Sequence, residues 1–467
     1  MPTNQELGTP ERSASQATEQ LAWGRWFWIA VAFCTFALTA FWLSIPWQWS
    51  SVDDPGQALA MKELLETRGP IAAIGERVSV LASGDFTGGV FRPLAWVYPP
   101  LLYWMPVVPA HAVRLLMVII IIVGPLAYFR RQGASKPRLV VTLFILLAAA
   151  GTAYQGLILL SIQEVGGLAL ISLGLLLPGR IPRLIAWTLA AWFKGPFAWI
   201  LLGYAISLWR DGRRRLSIAS GLLWLVTLVV NAWWARTGTY TSRYQLNVFD
   251  PELWKNAARL LEPFNGAIIL AALWWLVVTR TAPTLRRDFP IFATAFIGYY
   301  FQMIPWGFTA YYMAPISFLL GLLIVSVLSD PGKTENLLRL SVALSLPLLV
   351  ALWILRGSMS WVWETNEIIR QSSECISEAL GSTTAVVGDW LYLTSSQEGP
   401  FRLQQNIGLF YPEWNGEVLL AGEPSNIDMR ESTTHFLLIG DPSADLDTDT
   451  TIVCEGSLVT LVEVNGE

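Results

Sequence analysis

Asp53 and Asp54 stand side by side shortly after an uncharged run, Trp26–Trp47. Adjacent carboxylates repel, which raises the proton affinity of one of them. A carboxylate so placed can take the proton from an attacking hydroxyl. The Asp-Asp-Pro-Gly string is equally good turn chemistry. Lys194 is the one charge between Arg183 and Arg210. A charge within an apolar segment is costly and by default marks a functional site, and a lysine there can hold a phosphate as a point charge. The plainer alternatives are snorkelling to an interface and pairing with Glu164. Gln163 and Glu164 interrupt an apolar hairpin and are expected at its outer end, where polarity costs little. Arg92, Arg236 and Arg243 can steer or bind an anion, with Tyr244 beside the last of them. Tyr98-Pro99-Pro100 cannot continue a helix and sets a fixed turn. Tyr311 and Tyr312 suit an interfacial belt. For each of these loop residues a solvated or purely structural role is the simpler reading.

The elements that must position them are mostly membrane spans. Only 14% of the 467 residues are charged and 54% are hydrophobic, against about 25% charged in soluble proteins. Mean hydropathy is +0.47. Leu139–Gln163 and Phe289–Ser329 carry no charge at all. Such runs read as spanning helices, because backbone in lipid must satisfy its own hydrogen bonds. The net charge of −4 says little about partners, and the absence of a basic stripe argues against nucleic acid. Two histidines and no Cys-x-x-Cys pattern give no metal site, and no cofactor is expected.

Lysines and arginines in short loops orient the chain. Arg130–Arg138, Gly179–Arg183, Arg210–Arg215, Arg280–Asp288 and Asp330–Arg339 hold 15 basic residues in 39 positions. Gln48–Ala110 and Arg236–Arg259 hold 8 in 87. The first set is therefore assigned to the inner face. Spans are expected near 26–46, 111–129, 139–156, 160–177, 216–235, 257–279, 289–306, 311–329 and 340–358. The stretch 184–209 begins and ends at inner loops, so it must enter and return. It is broken at Gly195-Pro196, and each arm is too short for a core of ~30 Å. The count is about eleven segments, an all-α polytopic membrane protein.

Three domains follow: a disordered cytoplasmic tail at 1–25, a transmembrane domain at 26–358 that includes outer loop 48–110, and a small outer α/β domain at 359–467. The first apolar run is not read as a cleaved signal peptide, since no A-x-A-like site follows it. In the loop, Gln57–Thr67 and Ile71–Leu81 have helical spacing. The tail carries 18 acidic and 3 basic residues. In it Glu364–Leu380 reads as a helix, and Thr384–Gly388, His435–Gly440 and Thr451–Val464 read as strands. Cys375 and Cys454 can pair if the tail faces an oxidising compartment. The expected location is a cell membrane, with the N terminus cytoplasmic and the C-terminal domain periplasmic or extracellular.

Taken in chain order, these features resemble the GT-C superfamily of membrane glycosyltransferases, and glycosyltransferase family 87 in particular. Val52-Asp53-Asp54 is similar to the acidic motif of the first outer loop. Tyr98-Pro99-Pro100-Leu101-Leu102-Tyr103 is similar to the His/Tyr-Pro-Pro-Leu element. Ser161-Ile162-Gln163 followed by Leu168–Leu177 resembles the Gly-Gln-bearing span, and Trp192-Phe193-Lys194-Gly195-Pro196 the Lys-x-x-Pro segment. The chain departs at Gln57, where the family has tyrosine, and at Ile162, where it has glycine. The resemblance implies a sugar on a polyprenyl phosphate as donor, mannose or arabinose by family habit, and a glycolipid, polysaccharide or protein acceptor. It implies Asp53, or else Asp54, as general base and inversion at the anomeric carbon. Lys194, with Arg243 and Arg92, would hold the departing phosphate. Tyr98, Gln163, Glu164, Tyr244 and Tyr311 would line the substrate site. A transporter or lipid flippase with a lysine deep in the membrane is the alternative, though no pair of related halves is visible. A non-catalytic assembly subunit is the third reading.

Overall fold

The computed structural model describes residues 107–149, 163–237, 251–259, 264–304, 310–331 and 336–379, five strands between 385 and 464, helical residues at 64–76, and scattered positions elsewhere. The chain forms two compact units, Met1–Ser44 and Ile45–Glu467. In the first, Ala32, Phe36 and Ala40 are helical and exposed at one-turn intervals. In the second, residues 64–76 are helical and broken at Gly69, whose φ is 76°, just before Pro70. Glycine adopts this left-handed backbone without steric cost, and proline suits the next helical start.

The long helices are α1 Val107–Arg131, α2 Lys136–Ala149, α3 Gln163–Leu176, α4 Arg180–Phe193, α5 Trp199–Arg210, α6 Arg214–Thr237, α7 Pro251–Arg259, α8 Phe264–Thr279, α9 Phe289–Met303, α10 Ala310–Val327 and α11 Leu337–Ala379. Among the described residues three stretches are long and apolar enough to cross a membrane: Ala112–Arg131, Arg214–Trp233 and Leu337–Ser360. The α7–α8 pair passes the same test if taken as one bent span, and α3 and α10 are shorter apolar helices. On α6, Ile218, Leu222, Val226, Val229 and Trp233 are all exposed. A continuous stripe of that kind suits lipid and not water.

The five basic loops meet at one end of the bundle. Asp330 binds Arg138 at 3.5 Å and Arg286 at 3.2 Å, and accepts the Ser135 backbone N–H at 2.8 Å. Asp211 pairs with Arg287 and lies 3.9 Å from Arg180. Two carboxylates thus tie all five loops together, with Arg286 and Arg287 as neighbours. Burial pushes the Asp330 carboxyl up, but the Ser135 N–H and the two arginines outweigh it and hold Asp330 below its usual range. Arginines here also cap orphan helix carbonyls. Arg131 donates to the Leu175 and Leu176 carbonyls, Arg183 Nε to Gly174 O at 3.0 Å, and buried Arg138 to Val325 O at 3.1 Å. Cations at a helix C-terminus also match its dipole.

Downstream, α11 runs unbroken for 43 residues through Pro347 and Gly357. The sequence suggests a span at 340–358 and a separate helix from 364. The structure joins them, because no helix-breaking residue stands between Gly357 and Ala379 and one glycine costs only about 1 kcal/mol. Position 359, taken above as a domain boundary, lies inside this helix. A five-stranded sheet packs on its far end in the order β2-β1-β3-β5-β4. The strands are β1 Ala385–Val387, β2 Val418–Leu420, β3 His435–Ile439, β4 Thr450–Glu455 and β5 Val459–Val464. β1 pairs parallel with β2 and β3, while β5 pairs antiparallel with β3 and β4. Gln371 donates to Ser457 Oγ at 2.8 Å, and Cys375 is disulfide-bonded to Cys454. These two links fix α11 to the β4–β5 hairpin.

Candidate functional site

The site is built on a helical hairpin that does not cross. α4 and α5 are joined by the single 3-10 turn Gly195–Ala198. The Tyr204 hydroxyl donates to Arg180 O at 3.2 Å, and the Trp187 and Tyr204 rings meet edge to face. With Arg180 near Asp211, both ends of the hairpin lie at the arginine-rich end. The arms have 14 and 12 residues, about 21 and 18 Å of helix. Lys194 occupies the tip in extended backbone, φ −152° and ψ 120°. Pro196 has no N–H to continue the helical ladder and restrains Gly195 before it, so the chain must turn here.

Lys194 is fully buried, with a side chain 1% exposed. Its ammonium pairs with the Glu164 carboxylate, itself 5% exposed, and lies 6.0 Å from the Tyr299 ring centroid. Glu164 sits in the first turn of α3, where the helix dipole favours an anion. Counting along α3 from its arginine-capped carbonyls, the pair is about 18 Å deep. Two glycines make the close approach possible. A Cβ on Gly166 would stand 2.7 Å from the Phe193 ring, and one on Gly167 would overlap Phe197. On the other side, a Cβ on Gly195 would stand 2.9 Å from Asn231 Oδ1 of α6. Phe197 packs on Tyr299 at 5.0 Å, and Trp199 Nε1 donates to Gln302 at 2.9 Å.

A second buried cation, Arg114 of α1, is fully enclosed. α1 and α3 run in the same direction, since Gly124 abuts Ser172 and Arg131 reaches Leu176. Counting back from the Gly124–Ser172 contact places Arg114 within about one turn of the level of Glu164. The deep end of the hairpin therefore holds a carboxylate and a lysine in contact, with an arginine near the same depth.

No protein-family model and no curated protein matches the chain. Among solved structures the chain is similar to the crystal structure of ArnT from Cupriavidus metallidurans in the apo state. The identity is 12%, the TM-score is 0.45, and the match covers 95% of this chain and 98% of that one. A likeness of that size decides nothing about either fold or function.

Of the residues singled out from sequence, Lys194 and Glu164 are brought together. Gln163 opens α3 and Tyr311 lies in the first turn of α10. Asp53, Asp54, Arg92, Tyr98, Arg243 and Tyr244 lie outside the described residues. The expectation that Glu164 would sit at a wet hairpin end differs from its burial here. Arg114, Asn231 and Tyr299 are not among the candidates drawn from sequence. The first had a visible signal, a lone charge inside the apolar helix α1. Gln302 had one too, as a rare polar side chain in Phe289–Ser329.

Proposed function

We propose that the chain is an integral membrane glycosyltransferase that moves a sugar from a polyprenyl-phosphate donor to an acceptor hydroxyl on the outer face. The observation that carries this reading is the buried Lys194 at the tip of a hairpin too short to cross, in a Lys194-Gly195-Pro196 string one residue shorter than the Lys-x-x-Pro motif it resembles. Asp53, or else Asp54, takes the acceptor proton as the hydroxyl oxygen attacks the anomeric carbon. The bond from that carbon to the lipid phosphate breaks, with inversion, and the polyprenyl phosphate departs. Lys194 stabilises the charge that develops on the phosphate. Arg114 is the second cation at suitable depth, and Arg243 and Arg92 are the outer-loop candidates. Because Glu164 already neutralises Lys194, an arriving phosphate must share or displace that carboxylate. Mannose, or another hexose or pentose, is the transferred group, and a glycolipid, polysaccharide or protein accepts it.

The inner-face assignment of the five basic loops is supported by their convergence at one end of the bundle. The disulfide supports placing the C-terminal α/β region on the oxidising, outer side. A transporter is favoured by one specific observation, an ion pair buried in a discontinuous hairpin. The test separates the two. Asp53→Asn is expected to abolish sugar transfer from a polyprenyl-phosphate sugar while leaving membrane insertion intact, and Lys194→Ala to weaken donor use. Transfer at wild-type rate in both variants would remove the roles given to Asp53 and Lys194, and no transfer by the wild-type chain would remove the enzymatic reading.

A further inference from the structure

A second basic feature lies away from the hairpin tip, at the arginine-rich end. A cleft of about 630 Å³ opens between the end of α8 and the start of α11. Arg280, Asn336 and Arg339 form its polar side, and Val277, Val278, Leu338 and Val342 its apolar walls. The helices run antiparallel, since Phe264 and Trp353 meet at the opposite end. Below the cleft, Trp274 Nε1 donates to Val342 O at 2.8 Å and ties the two together.

Two features indicate what fits. First, the walls do not close. They continue into exposed apolar side chains, Leu270 and Leu273 on α8 and Leu349 on α11. A soluble anion needs no such track, whereas an acyl chain does. Second, Arg280 takes left-handed backbone, φ 52°, at the position after α8 where glycine is the usual residue. Its N–H bonds Val277 O at 3.2 Å and the next N–H bonds Leu276 O at 3.0 Å, a closed helix-capping turn. An arginine there is held against a backbone preference, and its side chain lines the cleft.

We infer that this cleft binds the headgroup of an anionic glycerophospholipid of the inner leaflet, with Arg280 and Arg339 on the phosphate and an acyl chain along α8 and α11. Basic pockets between spanning helices on the cytoplasmic side are suited to such headgroups. The site is independent of the catalytic residues proposed above, and rests on that reading's assignment of the arginine-rich end to the inner face and on these helices spanning.

Native mass spectrometry of the full chain in detergent reads the lipid retained from added phosphatidylglycerol or phosphatidylcholine. The wild type is expected to retain one phosphatidylglycerol in preference to phosphatidylcholine. Arg280→Gly combined with Arg339→Gln is expected to weaken that binding by about 30-fold. Arg280→Gly alone relieves the left-handed backbone, so its lipid-free unfolding midpoint stays level or rises, which separates lost binding from lost fold. Arg339→Lys is expected to keep most of the affinity. Equal retention of the two lipids, wild-type retention by the double variant, or displacement by millimolar inorganic phosphate would each overturn the assignment, the last by showing a site for free anions.

Discussion

The Glu164–Lys194 pair gives the sharpest energetic test of the site. Both side chains are almost wholly enclosed, at 5% and 1% exposure. Removing one partner strands the other charge, which in a buried pair costs about 3–5 kcal/mol. Replacing both by apolar side chains of similar volume removes the desolvation cost together with the attraction, and is commonly neutral or stabilising. Glu164→Leu and Lys194→Met are therefore each expected to destabilise by about 3–5 kcal/mol, while the double variant loses less than either single. Equilibrium unfolding of the full chain in mixed detergent, followed by tryptophan fluorescence, provides the four corners of the cycle. The folded double variant then divides structure from chemistry, because its donor use should remain as weak as that of the Lys194 single variant. Single variants that cost no more than ~1 kcal/mol, or a double equal to the sum of the singles, would refute the burial argument.

Gly167→Ala drives a methyl into the Phe197 ring and should cost about 1–3 kcal/mol in the same unfolding assay, with Phe197→Leu restoring part of it. In the tail, Glu367 accepts from Arg370 at 3.0 Å and from Gln371 at 2.6 Å. The Arg370 hydrogen bonds hold its carboxyl below the usual range against the effect of burial. A depressed carboxylate stabilises fully above the unfolded value near pH 4.3 and loses that contribution as pH falls through the folded one. Circular dichroism should therefore show acid loss of tail structure worth about 1 kcal/mol, and Glu367→Gln should flatten that acid dependence.

Much of the frame was readable because it rests on short-range rules. Proline after glycine at 195–196 dictates a break wherever the surrounding helix lies. Arginines clustered in short loops gather at one interface, and the Asp211 and Asp330 networks are the local form of that rule. The site was less readable because its partners meet through packing. Nothing near Glu164 in sequence reveals that two following glycines let α4 and its turn settle on α3 and enclose the carboxylate. Arg114 carried a signal, a charge in an apolar run, but its depth follows only from the register of α1 on α3. Strand β2 has three residues, too few to show alternation, and the unity of α11 depends on the absence of a breaker, a weak cue beside the composition change near 359.

The single helix α11 has a mechanical consequence. From Pro347 to Ala379 a straight helix spans about 48 Å. Its far end is bolted to the sheet by the disulfide and by Gln371, so sheet and helix tip turn as one body. A tilt of about 5° at the proline level would sweep that end sideways by about 4 Å, roughly the width of a sugar ring. A small rearrangement among the spans is thus geared up into a large excursion of the tail, with no hinge near the tail itself.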